Sequence, residues 1–403
     1  MWCKQSSQHA HGFPVFELVV QEICLSSQPD LQDAAAMTAE LCPPVLVGTD
    51  CSGMETPLMA LSRLEVPYKH VFSCDVDRHV RKHIAGNFSP AQCFPDLMTR
   101  DNSSPTTPSV QLYIAGFPCQ PFSSAGLQKG FKDKRGIVFY GCARYIDSKR
   151  PWIFILENVR KLINHDGGKT FKKVMQTLYG IGNGVYSVDW KLLDTQDHGV
   201  PQSRQRVYIV GILKDRQRSE IRFPETIPRV SIETFLDPVD IAPTMEDLPS
   251  ELSKTAHRNV KRTMEDLAAR GERPLLKTFV IDHGSSAKRC SVVEDKVMCM
   301  TKSRAAGHWV TSRGRPMNLD EMLRCQGMER CFKQVTTNRQ LGIMIGNAMS
   351  QNVLERLLIK VLPAAGLALG RPLVDRWAAG KVELAAQTMK RQKKSTDPRP
   401  EVL

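Results

Sequence analysis

Cys119 lies within Gly116-Phe117-Pro118-Cys119-Gln120-Pro121-Phe122-Ser123, directly after the apolar run Leu112-Tyr113-Ile114-Ala115. An apolar run that halts at Gly-Phe-Pro reads as a buried strand ending in a sharp turn. Such a turn sets the thiol at the carboxyl end of a strand, where open α/β sheets place their ligands. Proline fixes φ and removes a backbone donor, so the frame around the thiol is stiff. A thiol held this way is a candidate nucleophile, although most lone cysteines are inert apolar residues of a core.

Other segments carry groups that suit such a thiol. Glu157-Asn158-Val159 follows the apolar run Trp152-Ile153-Phe154-Ile155-Leu156, and Gln202-Ser203-Arg204-Gln205-Arg206 leads into Val207-Tyr208-Ile209-Val210. Arg204 and Arg206 stand two apart before a strand, so both can point to one face. A free thiol has a pKa near ~8.5 and needs a cationic neighbourhood to ionise, which two arginines would supply. Taken singly, the glutamate is an ordinary cap or surface acid and the arginines a solvated pair.

A ligand turn is legible further upstream. Asp50-Cys51-Ser52-Gly53-Met54-Glu55-Thr56 follows an apolar run, and a helix opens at Pro57. A tight turn into a helix N-terminus suits nucleotide-like ligands, because close backbone approach needs glycine. Asp75 ends the next strand, Phe72-Ser73-Cys74-Asp75, and an acid there can accept hydrogen bonds from ribose hydroxyls.

The elements that must position these groups alternate. Apolar runs at Val45–Val47, Lys69–Ser73, Leu112–Ala115, Trp152–Leu156, Val188–Leu193 and Val207–Ile212 predict strands. Pro57–Leu64, Asp77–Asn87, Val138–Asp147 and Thr170–Tyr179 predict the helices between them. Such alternation implies a mostly parallel sheet covered on both faces. From about residue 214 prolines cluster and the rhythm breaks, which marks a smaller, less regular region; a helix is predicted again over Asn347–Leu362. Residues 1–44 have no clear period beyond one helix near Leu31–Leu41, and the tail is basic around Lys390-Arg391-Gln392-Lys393-Lys394.

Composition bounds the class. A chain of 403 residues can form two domains, and its net charge of +13 suits a polyanionic partner. The start, Met1-Trp2-Cys3-Lys4-Gln5, lacks a secretory pattern, and no apolar run is long enough to span a bilayer. The twelve cysteines form no Cys-x-x-Cys pair and read as reduced thiols. The expected setting is nuclear in a eukaryote and otherwise cytoplasmic, with no membrane partner and a monomeric state.

The Gly116–Ser123, Glu157–Val159 and Gln202–Arg206 segments are followed by Arg315-Pro316-Met317-Asn318-Leu319-Asp320-Glu321-Met322-Leu323-Arg324-Cys325-Gln326-Gly327 and by Ile345-Gly346-Asn347-Ala348-Met349-Ser350. In this order they resemble the cytosine-5 DNA methyltransferase family. The resemblance implies a Rossmann-like α/β methyltransferase domain with a smaller inserted target-recognition domain. It divides the chain into an N-terminal extension (1–44), a catalytic domain (45–213), a target-recognition domain (214–335), a C-terminal helix returning to the catalytic domain (336–366) and a disordered basic tail (367–403). S-adenosyl-L-methionine is the implied cofactor, held by Ser52, Gly53, Asp75, Asp96, Pro118 and Asn347, with Asp96 reading the adenine amino group. Double-stranded DNA is the implied partner.

The implied chemistry is covalent. The Cys119 thiolate adds to carbon 6 of a flipped-out cytosine, carbon 5 takes the methyl group, and a base removes the carbon 5 proton as the cysteine leaves. Glu157 hydrogen-bonds ring nitrogen 3 and the exocyclic amine, Arg206 lies beside the carbonyl oxygen, and Arg204 adds positive charge. The glycine-punctuated basic segment Ser123–Gly136 resembles a flap that closes over DNA. Lys214, Arg216, Arg218, Arg222, Lys302, Arg304 and Arg313 are expected to grip phosphates, and Thr301 to abut the flipped nucleotide. Arg304, His308 and Trp309 either reach base edges or serve the core, and Arg324, Gln326 and Gly327 read as structural.

The chain departs from the family at Glu55, where a glycine is usual, and the bulkier residue is expected to narrow the cofactor pocket or alter affinity. The rival tRNA-methylating branch has Pro-Pro-Cys-Gln and a Cys-Phe-Thr triplet; this chain has Phe117-Pro118-Cys119-Gln120 and lacks the triplet. A decayed, non-catalytic nucleic-acid-binding module is the other alternative.

Overall fold

A strand whose two faces are both covered needs no polar side, so it reads as an unbroken apolar run. The computed structural model, which describes residues 43–118, 137–239, 243–244, 252–370 and 372–380, is built on strands of that kind. The chain divides into Met1–Pro43 and Pro44–Leu403, and every element below belongs to the second unit. The predicted N-terminal helix near Leu31–Leu41 lies outside the described residues, as does the tail beyond residue 380.

In chain order the first elements are β1 (Val45–Asp50), α1 (Thr56–Arg63), β2 (Tyr68–Cys74), α2 (Arg78–Asn87), β3 (Gln92–Phe94) and β4 (Leu112–Ala115). They are followed by α3 (Val138–Lys149), β5 (Ile153–Val159), α4 (Lys161–Asn164), α5 (Lys169–Gly180), β6 (Tyr186–Asp194), β7 (Gln202–Ser203) and β8 (Gln205–Leu213). Seven of the strands form one sheet in the order β3-β2-β1-β4-β5-β8-β6. The first five run parallel, and β8 is antiparallel to both β5 and β6. On β4, Leu112 and Ile114 join Leu58 and Leu61 of α1 in one core cluster. Tyr113 and Ala115 face the other cluster, with Phe139 and Tyr145 of α3 and Val174 and Leu178 of α5. The connection leaving β1 turns toward β2 while β4 lies on its other side, so the crevice for a ligand opens at the carboxyl ends of β1 and β4.

The rest of the chain contributes α6 (Lys254–Ala269), β9 (Phe279–Ile281), β10 (Val292–Glu294), β11 (Val297–Met298), β12 (Trp309–Val310), β13 (Arg315–Pro316), α7 (Leu319–Arg324), α8 (Asn338–Asn347) and α9 (Gln351–Ala364). A second sheet has the order β10-β9-β12-β13, all antiparallel. Its Ile281 and Trp309 pack on Val260 and Met264 of α6. The first sheet and this region meet through β7 and β11, which pair in parallel.

The helix expected over Asn347–Leu362 is present as α9 but starts four residues later, and a separate helix, α8, precedes it. α8 ends at Asn347, Ala348 and Ser350 are extended, and α9 restarts at Gln351. The carbonyls released at this break do not go unpaired: Gly346 and Ala348 both accept from Arg204. Gly342 and Gly346, one turn apart, let α8 lie directly on the backbone of the segment after β11. A Cβ at Gly346 would sit 2.3 Å from the Thr301 carbonyl carbon, and one at Gly342 would sit 2.1 Å from the Ala305 oxygen. Beyond α9 the chain folds back on it. Glu355, fully buried, accepts from Arg376 and from Trp377 Nε1, while Arg356 pairs with Asp375.

One buried ion pair ties the ligand end of β1 to the loop after β3. Arg100 donates from both Nη atoms to Asp50 at 2.8 and 2.7 Å, and Tyr113 Oη donates to the same carboxylate at 2.6 Å. The guanidinium is wrapped by Phe72, Phe94 and Tyr145, each centred about 5 Å away. Arg100→Met is expected to lower the unfolding free energy by about 3–5 kcal/mol, because it strands a buried carboxylate. Urea denaturation measures this loss, and Asp50→Asn added to Arg100→Met should recover part of it.

Candidate active site

The turn after β1 is held by the end of β2. Ser52 N–H donates to the Cys74 carbonyl at 3.1 Å, and Ser52 Oγ accepts from Cys74 N–H at 2.9 Å. Gly53 N–H donates to Asp75 Oδ2 at 3.1 Å, and Asp77 N–H donates to Oδ1 at 2.9 Å. Of the expected cofactor residues, Gly53 is therefore bonded directly to Asp75, and Ser52 to Cys74, which precedes Asp75. Burial raises the Asp75 pKa even though these amides oppose it. Beside Asp75, Val76 is 71% exposed, an apolar face turned outward at the lip of the crevice. Sequence reasoning did not single it out, because one valine among charged neighbours carries no pattern.

The other expected cofactor residues are more dispersed. Asp96 lies two residues past the end of β3 and accepts from Met98 N–H at 2.8 Å. Asn347 is exposed at the end of α8, two residues before Met349, whose Cε lies 2.9 Å from where a Gly116 Cβ would stand. Pro118 follows Phe117, whose carbonyl accepts from Asn158 Nδ2 at 3.0 Å.

Glu55 does not project into an open pocket, contrary to the expectation that it narrows one. Its residue is fully buried, with Oε1 accepting from Thr49 Oγ1 at 2.8 Å and from Ser73 Oγ at 2.5 Å. Its backbone has φ +58°, the left-handed conformation that a glycine adopts freely and other residues reach at a cost of order 1 kcal/mol. The glutamate thus keeps the turn's backbone shape and braces β1 to β2 from beneath. Burial raises its pKa to about 7, against the pull of the Ser73, Thr49 and Ser52 hydroxyls. His70 Nε2 lies 2.9 Å from Ser73 Oγ, and because Ser73 gives its one proton to Glu55, His70 is the donor of that pair. Burial lowers the His70 pKa to about 4, so the ring is neutral near pH 7.

At the carboxyl end of β5, Glu157 and Arg206 face each other. Val159 pairs with Arg206 in the sheet, and Arg206 Nε lies 3.0 Å from Glu157 Oε1. Gly116 closes the same space: a Cβ there would stand 3.5 Å from Glu157 Oε2. Burial raises the Glu157 pKa, while Arg206 and then Arg204 hold it down. Arg204 is 2% exposed, and its Nη atoms donate to the carbonyls of Met300 at 2.9 Å, Ala348 at 2.6 Å and Gly346 at 3.4 Å. The sequence reading aimed Arg204 and Arg206 at one face; the bonds make Arg204 a clamp between segments and leave Arg206 at the pocket. Cys299, also absent from the sequence reading, lies between them, with Sγ 3.4 Å from Arg204 Nη1 and 3.4 Å from Arg206 Nη2. Cys119 and the Ser123–Gly136 segment lie outside the described residues.

Several charges expected to grip phosphates are engaged within the protein. Arg304 pairs with Asp282 and Arg313 with Glu233, whereas Lys302 is exposed. Thr301 is exposed, with its hydroxyl 3.0 Å from Ser303 Oγ. His308 and Trp309 are buried, which gives them to the core of the second sheet. Arg324 and Gln326 are buried as expected, bonded to Phe235 and Asp237 and to Ile345 respectively.

Comparison with known proteins follows the same lines. Residues 50–362 match the family model of C-5 cytosine-specific DNA methylases. The type II methyltransferase M.NgoBI of Neisseria gonorrhoeae is 33% identical over 290 residues, covering 71% of this chain and 84% of that protein. The type II methyltransferase M.HaeII of Haemophilus aegyptius is 30% identical over 301 residues, covering 74% and 88%. Among solved structures, the Entamoeba histolytica methyltransferase EhMeth superposes with a TM-score of 0.56 at 17% identity, covering 79% of this chain and 98% of that one, a likeness of fold.

Glu55 has a consequence for stability against pH. Its folded pKa of about 7 lies above the unfolded 4.5, so between these values the folded state holds a proton that the unfolded state has lost. Its contribution therefore falls as pH rises through that window. His70, depressed from 6.5 to about 4, contributes the opposite slope between those values. Glu55→Gln removes only the falling term. The stability of Glu55→Gln relative to the parent is expected to rise by about 3 kcal/mol between pH 4.5 and 7. Chemical denaturation across that range checks it, and parallel curves would refute it.

Proposed function

From the premise that the chain belongs to the C-5 cytosine-specific DNA methylase family, we propose that it uses S-adenosylmethionine to methylate cytosine in double-stranded DNA through a covalent Cys119 adduct. The observation that carries the site assignment is the Glu157–Arg206 pair at the head of the Gly116-Phe117-Pro118 turn. We assign residues 45–213 and 336–366 to catalysis and 214–335 to target recognition.

The crevice fits the cofactor on its own features. Gly53 has open space around it, since a Cβ there would meet only the Cys51 oxygen at 3.9 Å. Val76 offers an apolar surface and Asp75 a carboxylate side by side. S-adenosylmethionine, when bound, supplies an electrophilic methyl group on a sulfonium. Ser52, Gly53, Asp75, Asp96, Pro118 and Asn347 are the residues we assign to hold it.

Within the pocket, the chain's own groups divide the work. The Cys119 thiolate forms a bond to carbon 6 of the base, and electron density moves to carbon 5, the atom that accepts the methyl group. Loss of the carbon 5 proton to a base returns the electron pair, breaks the sulfur–carbon bond and frees the thiolate. Glu157, whose burial favours its protonated form, holds a proton toward ring nitrogen 3 as negative charge builds on the ring. Arg206 stabilises the same charge from the carbonyl side, and its pairing with Glu157 keeps both groups aligned before the base arrives.

The test is transfer of labelled methyl from S-adenosylmethionine to duplex DNA, with tRNA in parallel. Label is expected in DNA, absent with Cys119→Ala. Label confined to tRNA would move the chain to that branch, and no transfer with cofactor binding intact would favour a decayed module. Glu157→Gln is expected to lower kcat by roughly 10²–10⁴-fold while leaving cofactor affinity near the parent value, as measured by steady-state transfer and calorimetry.

A further inference from the structure

Cys299 follows directly on β11, whose Val297 and Met298 pair in parallel with Gln202 and Ser203 of β7. The register, carried one residue further, sets Cys299 against Arg204. Its sulfur lies 3.4 Å from Arg204 Nη1 and 3.4 Å from Arg206 Nη2. The two arginines are otherwise engaged very differently. Arg204 is committed to main-chain carbonyls of Met300, Gly346 and Ala348. Arg206 reaches Glu157 through Nε at 3.0 Å and the Gln205 carbonyl through Nη1 at 2.8 Å. Cys299 is thus the side chain that links the structural clamp to the arginine of the pocket.

We infer that Cys299 is a positioning residue for methyl transfer: its sulfur spans Arg204 and Arg206 and holds the Arg206 guanidinium beside Glu157. A guanidinium is a rigid planar fork, so acceptors along two of its edges fix its orientation. Cys299 is the acceptor at Nη2, while Glu157 Oε1 lies 3.0 Å from Nε as an ion-pair partner without a directed hydrogen bond; the two come from separate parts of the chain, β5 and the segment after β11. Burial pushes the Cys299 thiol up, but Arg206 and Arg204 more than offset this and leave it below the ordinary thiol range. The sulfur accepts from both guanidinium groups in charge-assisted hydrogen bonds and lies 3.5 Å from the Met300 carbonyl, to which its S–H can donate. The charged groups facing it are Arg204, Arg206 and, across Arg206, Glu157.

The inference rests on the proposed roles of Glu157 and Arg206, and the experiment separates the two. The full chain is compared with Cys299→Ala, Cys299→Ser and Glu157→Gln for kcat, for KM of DNA and of S-adenosylmethionine, and for thermal unfolding. Cys299→Ala is expected to lose about ten-fold in kcat, with both KM values within about two-fold, a smaller loss than removing a direct donor. Cys299→Ser, which restores a polar atom without a full charge, should recover folding but only part of kcat. A merely structural role would not move a second readout, the pH dependence of Cys299 alkylation by iodoacetamide, followed on its peptide by mass spectrometry. In the parent protein the apparent pKa should fall below that of a free thiol, near ~8.5, and it should rise in Arg206→Met. Parent-like kcat in both Cys299 variants, or an apparent pKa unchanged by Arg206→Met, overturns the inference while Glu157→Gln still impairs turnover. A fully active Glu157→Gln would instead overturn the functional reading on which it rests.

Discussion

A guanidinium taken out of water needs acceptors, and the Nη atoms of Arg204 find them in carbonyls from distant parts of the chain, while its buried Nε goes without one among the described residues. Met300 comes from the region of the second sheet; Gly346 and Ala348 come from the break between α8 and α9. Arg204 itself sits between β7 and β8, next to the strand that carries Arg206. One buried charge therefore fixes the three segments that border the pocket. It also caps the end of α8, since carbonyls left over at the helix terminus accept from the arginine. The glycines of α8 complete the arrangement by letting the helix approach the Thr301–Ala305 backbone without side chains between them.

The sheet does the corresponding work on the cofactor side. Parallel strands deliver their carboxyl ends to one edge, so Asp50, Cys74, Ala115 and Val159 all end near the crevice. The turn above them is kept in shape by two different devices. Asp50 is neutralised by Arg100 inside an aromatic shell, whereas Glu55 is left without a full counter-charge and accepts hydroxyl hydrogen bonds instead. The first acid has a guanidinium partner at 2.7 Å, and burial pushes the second toward protonation. Both are buried, whereas Gly53 and Asp75 are joined by a hydrogen bond beside the exposed Val76.

Much of this was legible in the sequence, for identifiable reasons. β1, β4, β5 and β8 stand out because burial on both faces leaves apolar runs, and the helices between the strands carry a clear apolar stripe. Glu157 and Arg206 were legible because each sits at a strand end flanked by such a run. The second sheet was not, because its strands are only two or three residues long, too short to show any period. α6 escaped notice because its apolar face is sparse: Ala256, Val260, Met264 and Leu267 are separated by charged residues. Arg204 was read as a pocket residue since nothing local distinguishes a solvated arginine from one enclosed by carbonyls 100 residues away. Cys299 and Val76 had no signal at all; one acquires its neighbours through a two-residue strand pairing, the other through a sheet edge.

The fold-back beyond α9 bears on how the protein is made. The family match stops at residue 362, yet Glu355 within it is completed by Arg376 and Trp377, which lie beyond. α9 in turn packs on α1, so the frame around the first strand is covered by a helix from far along the chain. During translation the carboxylate of Glu355 stays in water until residues 376 and 377 emerge, and α9 cannot settle on the sheet without burying it. Early docking of α9 is thereby disfavoured, and the last layer of the catalytic frame closes only after the chain has delivered its own seal.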